Sequence, residues 1–298
     1  MLRKHRCKLL PFEREDIFGL DYNNQQIIPW SISEFKVEKS WTKSKGKGVT
    51  VAVIDTGCDL DHPDLKNNLV DGYDFINRSR YPTDDNGHGT HVAGTIAASN
   101  NSKGIVGVAP EAKIMPLKSL SADGSGDLKH ICEAILYAAD NKADIITMSL
   151  GTPGNASIFQ QTLQYAVDKG CVIFCAAGNE GKEKELMYPA RYPQTISVGS
   201  ISNNYKISRF SCSRGTELDF FAPGENVISC VPDDSYANMT GTSMANPFAA
   251  GCGALLLSYK GRKLKQKDYV KHFEKYSIKP DHLFTTYKSR GIITPRLI

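Results

Sequence analysis

From residue 49 onward, short apolar segments alternate with segments of helical periodicity, and this alternation constrains the fold more than any other feature. Five segments, 49–55, 113–119, 144–150, 171–177 and 195–200, are rich in valine and isoleucine and apolar on both faces, which predicts strands buried on both sides. Helical patterns cover 88–98, 128–141 and 159–169. We therefore expect an α/β fold with a doubly wound, mostly parallel sheet flanked by helices, and with its ligand site at the carboxyl ends of the strands.

The composition is that of an ordinary globular protein. Hydrophobic residues make up 41% of the 298 residues and charged residues 23%, and the net charge is +4. The basic run at 260–267 is interpreted as a solvated helix face rather than a nucleic-acid surface. No segment is apolar enough for a membrane span or a secretory signal. Residues 25–298 are predicted to form one folded domain, and the charged residues 1–24 an extension.

Eight cysteines lie mostly inside apolar segments, and no two have the spacing of a CxxC pair. In a chain of this length without a secretory signal, such cysteines are typical of reduced, buried thiols. One or two disulfides remain compatible with the sequence. We expect a cytoplasmic protein that binds neither nucleic acid nor membrane.

Three side chains with complementary chemistry lie where a strand or a turn meets a helix. Asp55 ends the first predicted strand, His88 lies in a small-residue segment at 86–94, and Ser243 follows a glycine turn. Alone, each has an ordinary interpretation, as a turn aspartate, a packed histidine and a capping serine. Together they supply a nucleophile, a base for its proton, and a carboxylate that fixes the tautomer of the base. They are the predicted catalytic triad.

Asn179 follows another predicted buried strand, within Ala-Ala-Gly-Asn-Glu. An asparagine in this place is ordinarily a turn residue. Beside a triad, its amide is suited to donate to the negative oxygen that develops during acyl transfer. The backbone N–H of Ser243, at a helix N-terminus, is the expected second donor.

These motifs resemble the signature sequences of the subtilase family of serine proteases, and their order Asp, His, Ser is that of subtilisin. The resemblance runs from Gln25 over nearly the whole chain. It implies a serine endopeptidase that acts on proteins or peptides through an acyl-enzyme, with Thr242 assisting the oxyanion hole. It also implies that Gly124, Ser125 and Gly126 pair with substrate as a strand and that Ser149, Leu150 and Gly151 line the S1 pocket. Main-chain pairing of this kind favours broad specificity.

Two positions depart from the family pattern. Asn246-Pro247-Phe248 follows the nucleophile where the family commonly has a small residue, proline and histidine; altered packing with retained activity is expected. Met187 stands where related enzymes often carry glycine, and its side chain is expected to restrict the S1 pocket. Two alternatives stay open: a narrow processing protease that matures a peptide precursor, and an inactive homologue that binds peptides. The second would lack a catalytic residue, and none is missing.

The polar, glycine-containing loop 99–105 is predicted to interrupt a helix and resembles the family's calcium loop without a gap. Calcium takes 6–8 oxygen ligands, which such loops supply. The resemblance implies a structural calcium ion bound by the side chains of Gln26, Asp64 and Asn101 and the carbonyls of Ser99, Lys103 and Ile105. A plain surface loop is the alternative.

A zinc site is a competing hypothesis for the histidine motif. His88 and His91 share a helix face and could bind zinc with Asp55 or Cys58. The motif lacks the glutamate of a zinc hydrolase, however, and a zinc site leaves Ser243 and Asn179 unexplained.

The extension contains Leu9-Leu10-Pro11-Phe12, which is similar to the Leu-Ile-Pro-Tyr/Phe motif that lies across the active site of intracellular subtilisins. Its apolar side chains would fill substrate pockets. Proline, with no N–H and a fixed φ, would spoil the geometry for self-cleavage. The resemblance implies an autoinhibited, zymogen-like chain, and intracellular relatives suggest a homodimer. A disordered tail is the alternative.

Overall fold

The computed structural model describes residues 6–17, 25–213, 218–261, 263–280 and 289–297. Within these ranges the strands are β1 Arg6–Leu9, β2 Glu13–Asp16, β3 Thr50–Asp55, β4 Tyr73–Asp74, β5 Lys113–Lys118, β6 Ser125–Asp127, β7 Ile145–Met148, β8 Leu150–Gly151, β9 Val172–Ala176, β10 Thr195–Ile201, β11 Phe220–Pro223, β12 Val227–Val231 and β13 Ser235–Thr240. The helices are α1 Trp30–Glu34, α2 Val37–Trp41, α3 His88–Ala97, α4 Leu128–Asp140, α5 Ser157–Asp168, α6 Thr242–Lys260 and α7 Gln266–Tyr276.

A seven-stranded sheet forms the centre of the molecule, in the order β11-β10-β9-β7-β3-β5-β4. All of its neighbouring strands are parallel. The five predicted strands are its five inner members, with ends displaced by no more than two residues. The predicted α/β fold with a mostly parallel sheet is confirmed.

Helices cover both faces of this sheet, and β3 shows how the sequence divides between them. Val51 and Val53 face a core that contains residues of α3, α6 and α7. Ala52 and Ile54 face a second core that contains residues of α4 and α5. Because successive side chains of a strand point to opposite faces, a strand covered on both sides must be apolar throughout. The continuous apolar segments seen in the sequence have this cause.

The extension forms strands that the sequence did not predict. β1 lies between β6 and β8 in one three-stranded sheet, and β2 lies at the edge of β13 in another. All four side chains of β2 are exposed, so apolar periodicity is absent there. The strand forms because β13 supplies main-chain partners.

The eight cysteines are all buried and free. No helix within the described part of the chain is long and apolar enough to cross a membrane.

Candidate active site

The predicted base and carboxylate meet at the carboxyl edge of the sheet. Asp55 is the last residue of β3, and His88 is the first residue of α3. The Nδ1 atom of His88 lies 2.8 Å from Oδ1 of Asp55, and both side chains are almost completely buried. Asp55 Oδ1 also accepts the N–H of Thr56 at 2.8 Å. The imidazole ring is therefore fixed through one nitrogen, which leaves Nε2 for the nucleophile.

Ser243 lies in the first turn of α6 and is buried. Its hydroxyl donates to the carbonyl of Ser149 at 3.3 Å, and Nε2 of His88 has no hydrogen-bond partner among the described residues. The structure thus forms the Asp55–His88 half of the triad but not the Ser243–His88 hydrogen bond. Catalytic hydrogen bonds commonly tighten only when substrate binds.

A proline in α6 connects the nucleophile to the predicted S1 loop. Pro247 has no N–H for the carbonyl of Ser243 one turn earlier, and the hydroxyl of Ser149 donates to that carbonyl instead, at 3.0 Å. The amide of Asn246 donates to Thr147 Oγ1 at 2.8 Å and to the Met148 carbonyl at 3.2 Å. The unusual Asn246 therefore ties α6 to the end of β7, directly behind the nucleophile.

Asn179 follows β9, and its amide is oriented by the residue before the nucleophile. Its Oδ1 accepts the backbone N–H of Thr242 at 3.0 Å and the Thr242 hydroxyl at 2.7 Å. With its oxygen held in this way, Nδ2 points into the cleft, where it donates to the carbonyl of Pro11. Asn179 is thus already bonded to a peptide carbonyl at the site predicted for the oxyanion.

Asp84 organises the turn before His88, and sequence reasoning missed it. The buried carboxylate accepts hydrogen bonds from the hydroxyls of Thr56 and Thr90 and from the N–H groups of Asn86, Gly87 and Thr90, at 2.6–3.0 Å. Burial by itself raises the pKa of Asp84, but the Thr90 hydroxyl and the backbone donors outweigh it and hold that pKa below its ordinary value. An aspartate just before a helix start is the signal that could have identified it.

Lys118 is a second supporting residue that the sequence did not reveal. It ends β5, its side chain is 2% exposed, and Nζ lies 2.6 Å from Oδ1 of Asp85. The same Nζ donates to the carbonyl of Thr56 at 2.6 Å. Lys118 therefore joins the end of β3, next to Asp55, to the turn that carries His88.

The residues predicted to bind substrate as strands surround β1 of the extension. Cys7 pairs with Gly126, and Lys8 pairs with Ser125 on one side and Gly151 on the other, in antiparallel register. The N–H of Leu9 donates to the carbonyl of Gly124 at 2.8 Å, and Leu9 pairs with Leu150. The N-terminal segment therefore lies where the substrate residues before the scissile bond are predicted to bind.

Leu10 fills the predicted S1 pocket and is 2% exposed. A Cβ atom on Gly151 would lie 2.7 Å from Leu10 Cδ2 and 3.0 Å from Met187 Cβ. A Cβ on Gly178 would lie 2.7 Å from Met187 Cγ. Met187 therefore packs against both Gly151 and Gly178, on the same glycine that Leu10 contacts.

Beyond Leu10, the extension crosses the reacting groups. The carbonyl of Pro11 accepts from Asn179, and the ring of Phe12 lies 4.9 Å from the ring of His88. In a substrate, the residue whose side chain fills the S1 pocket also places its own carbonyl in the oxyanion hole. Here Leu10 fills the pocket while the next residue supplies the carbonyl, so the extension is offset by one residue from a substrate.

Comparison with known proteins agrees with this site. The subtilase family matches residues 46–285. The chain is 44% identical over 259 residues to the major intracellular serine protease of Bacillus subtilis strain 168, with 82% of this chain and 81% of that protein covered. The chain belongs to the subtilase family. It is 45% identical over 242 residues to an intracellular serine protease of Paenibacillus polymyxa (78% and 74% covered) and 42% identical over 252 residues to subtilisin E of B. subtilis strain 168 (83% and 65% covered).

The predicted family and the predicted activity are confirmed: this subtilase is a serine endopeptidase. The alternatives of a narrow processing protease and of an inactive peptide-binding homologue are not favoured. The triad residues, the oxyanion donors and the pocket residues stay assignments made from sequence and geometry.

The two histidines of the motif have different roles in this subtilase. His88 gives Nδ1 to Asp55, whereas Nε2 of His91 lies 2.9 Å from the Val227 carbonyl and 3.2 Å from the Ala237 carbonyl. Burial lowers the pKa of His91 to about 3. A neutral ring that donates to two strands is a structural anchor, which leaves the zinc hypothesis without support.

Among the residues that the structure describes, one other group has the composition of a metal site. His62, Asp64 and Cys230 are buried and place ligand atoms within 4.8 Å of one another. However, Nδ1 of His62 accepts the Asp64 N–H at 3.2 Å, and Nε2 lies 3.3 Å from the Ser235 carbonyl. Both ring nitrogens are engaged, so we assign no ion to this group.

The predicted calcium ligands come together around one side chain. Asn101 Nδ2 donates to Asp64 at 3.0 Å, and a Cβ on Gly104 (φ +52°) would fall 2.1 Å from Asp64 Oδ2, so the loop closes tightly over this carboxylate. The Gln26 amide nitrogen is surrounded, at 3.0–3.5 Å, by the carbonyls of Ser99, Lys103 and Ile105 and by Oδ1 of Asn101.

The loop also interrupts a helix, as the sequence predicts. α3 ends at Ala97. After the loop, the N–H groups of Val108 and Ala109 donate to the carbonyls of Thr95 and Ile96, at 3.0 and 2.7 Å. Residues beyond the loop thus continue the hydrogen bonding of the last turn of α3.

Proposed function

We propose that Asp55, His88 and Ser243 are the catalytic triad of this serine endopeptidase and that Asn179 is the oxyanion donor. The observation that carries the proposal is the contact between the Asn179 amide and a peptide carbonyl, beside a buried Asp55–His88 pair with a contact of 2.8 Å. Asn179 and His88 contact the N-terminal extension, which lies in the cleft like a bound peptide.

In the proposed reaction, His88 Nε2 takes the hydroxyl proton of Ser243 as Oγ bonds to the scissile carbonyl carbon. The carbonyl oxygen becomes negative and is stabilised by Asn179 Nδ2 and the Ser243 N–H. His88 then donates its proton to the leaving amine, which breaks the peptide bond. Water, deprotonated by His88, releases the acyl group and restores Ser243. Asp55 keeps the tautomer and stabilises the imidazolium.

Substitution of Ser243 tests this proposal. Ser243→Ala is expected to abolish hydrolysis of an unfolded protein such as casein, because no acyl-enzyme forms. A phosphonofluoridate reagent should inactivate the unaltered chain in the same way, while removal of zinc should not. Full activity of Ser243→Ala would contradict the assignment.

For the physiological role we propose broad proteolysis of proteins in the cytoplasm. The relatives named intracellular serine proteases support this setting. Recognition through the main chain of β6 and β8, as seen with β1, supports a wide substrate range. A homodimer stays a prediction from those relatives.

We also propose a structural calcium ion at the loop 99–105. The donor set suits a hard cation, since three carbonyl oxygens and the amide oxygen of Asn101 surround one point, the Gln26 amide nitrogen. The Asp64 carboxylate lies beside this group, where it accepts from Asn101 Nδ2 and the Ile105 N–H. A half-turn of the Gln26 amide exchanges its nitrogen for Oε1 and completes the oxygen shell. Gln26, Asp64 and Asn101 would bind through side chains and Ser99, Lys103 and Ile105 through carbonyls. The ion would stabilise the loop and has no part in the reaction.

Finally, we propose that the extension keeps the enzyme inactive as a zymogen, with Leu9, Leu10, Pro11 and Phe12 as the inhibitory segment. The buried Leu10, the Pro11 carbonyl on Asn179 and the Phe12 ring on His88 support this. Because of the offset, neither Leu10 nor Pro11 has both its side chain in the predicted S1 pocket and its carbonyl on Asn179, as a cleaved residue would, and this mismatch is the proposed reason that the segment resists hydrolysis.

A further inference from the structure

The edge of β13 holds the part of the extension that follows the active site. β2 pairs with β13 in antiparallel register, from Glu13 opposite Thr240 to Asp16 opposite Ala237. The pairing continues one residue further, where the N–H of Ile17 donates to the carbonyl of Tyr236 at 3.1 Å. Five consecutive residues of the extension thus follow this edge.

The contact is made by the main chain. All four side chains of β2 are exposed, and Arg14 pairs with Asp16 of the same strand. The other edge of β13 is occupied by β12. When β2 leaves, β13 therefore presents a row of unpaired N–H and C=O groups, which is a template for any extended chain.

The extension runs through the site in one direction. β1 pairs with β6 and β8, which are predicted to bind the substrate residues before the scissile bond. The Pro11 carbonyl then contacts Asn179, and the Phe12 ring contacts His88. Beyond them, β2 pairs with β13. A substrate that runs in the same direction delivers the residues after its scissile bond to the same edge.

We propose that the edge of β13 is a binding site for the segment of a protein substrate that lies about three to six residues beyond the scissile bond. The ligand is an extended, unfolded polypeptide of any sequence, added as a third strand to β12 and β13. The enzyme consequently selects for chain length after the cleavage point, and long unfolded chains are better substrates than short peptides. This inference rests on the proposed function.

Alternation of the hydrogen bonds gives the inference a specific signature. In an antiparallel pair, only every second residue directs its N–H to the neighbour. Ile17 is such a residue, so Glu15 and Glu13 belong to the same set, and Arg14 and Asp16 direct their N–H groups away. A bound substrate must show the same two-residue alternation.

The test uses synthetic peptides that share all residues up to the scissile bond. One ends two residues beyond it and another seven residues beyond it. Two further long peptides carry N-methyl groups on alternate residues in the last five positions, one in each frame. The full chain is first incubated until its rate of casein hydrolysis is constant, so that activation by loss of the extension is complete. The kcat/KM of each peptide is then measured. The same peptides, labelled, are titrated by fluorescence anisotropy into Ser243→Ala without residues 1–24, in which the edge of β13 is not covered by β2 and binding is measured without hydrolysis.

We expect kcat/KM to be about tenfold higher for the long peptide, as two or three main-chain hydrogen bonds provide. One methylated frame should lose this gain and the other keep it, in both assays. Equal values for the short and long peptides, or equal losses in both frames, would overturn the inference. A failure of the proposed function looks different: Ser243→Ala would hydrolyse casein like the unaltered chain, while the kcat/KM values of the four peptides would still report whether the edge of β13 binds the segment beyond the scissile bond.

Discussion

At the N-terminus of α3, the buried Asp84 carboxylate holds the turn that precedes His88. Its partners are the Thr56 hydroxyl, which lies one residue from Asp55, and the Thr90 hydroxyl and N–H within α3. One side chain thereby connects β3, which ends at Asp55, with α3, which begins at His88. The distance between Asp55 and His88 depends on this connection.

Asp84→Asn is expected to lower the free energy of unfolding at neutral pH by about 2–4 kcal/mol, because an amide cannot replace all of these acceptor bonds. The hydroxyl and N–H donors lower the folded-state pKa of Asp84. The carboxylate therefore stabilises the fold at pH above its ordinary pKa, and this contribution is lost as the pH falls through the lowered pKa.

Denaturant unfolding at neutral and acidic pH measures this effect. The difference between Asp84→Asn and the unaltered chain should shrink on acidification. Asp61→Asn, at an exposed position, is the control and should leave stability nearly unchanged. A difference that is independent of pH would refute the role of the ionised carboxylate.

Met187 is expected to set the size of the S1 pocket. In Met187→Gly, the space under Leu10 opens, and kcat/KM for peptides with phenylalanine before the scissile bond should rise at least about tenfold relative to leucine. Met187→Leu conserves volume and should keep the leucine preference. The ratio of the two kcat/KM values is the measurement, and an unchanged ratio in the glycine variant would contradict the assignment.

The proposed triad could be named from the sequence because its three residue types have complementary chemistry and lie at strand and helix ends. Asp84 and Lys118 could not, because their roles depend on partners that only the fold brings near. Lys118 is separated from the Thr56 carbonyl by 62 residues. In the sequence it reads as one lysine at the end of an apolar strand.

Among the elements, the inner strands were predicted well, whereas the two strands of the extension were not predicted. An inner strand must be apolar on both faces, and that requirement is visible in the sequence. β2, with the sequence Glu-Arg-Glu-Asp, has low β-propensity and forms only because the edge of β13 is available. Strands that depend on a partner's main chain leave no pattern of their own.

The loop after α3 supports a prediction about calcium. Calcium should raise the unfolding temperature of the full chain, since a ligand at a hundred times its Kd stabilises the folded state by roughly 2.7 kcal/mol. The rise should be much smaller in Gln26→Ala, which removes the side chain at the centre of the loop carbonyls. Scanning calorimetry with and without calcium measures both.

The neighbouring Gln25 is exposed, and Gln25→Ala is the matched control that should keep the full response. Magnesium at the same concentration should have less effect, because it requires a tighter octahedral shell. If the unfolding temperature of the unaltered chain is the same with and without calcium, the loop binds no calcium.

On the scale of the whole molecule, the N-terminal segment connects parts of the site that are far apart in sequence. It adds β1 to β6 and β8, and β2 to β13. Between these strands, Leu10 contacts Gly151 of the predicted S1 pocket, the Pro11 carbonyl contacts Asn179, and the Phe12 ring contacts His88. A substrate would have to displace all of these contacts together.

Removal of residues 1–24 is therefore expected to raise the initial rate of casein hydrolysis, and equal rates for the full and shortened chains would refute autoinhibition. Two proline variants of the full chain provide a structural control. Glu15→Pro removes an N–H that faces β13 and should raise the rate, whereas Asp16→Pro removes one that faces away and should raise it less.

The covalent link between the inhibitory segment and the enzyme has a kinetic consequence. A tethered segment is present at an effective concentration of about millimolar, however dilute the protein is. If the segment inhibits as proposed, inhibition of an intact chain does not weaken on dilution. A single cut between the segment and the domain would end this: the freed peptide would dissociate, its concentration would fall to that of the protein itself, and the enzyme would stay active.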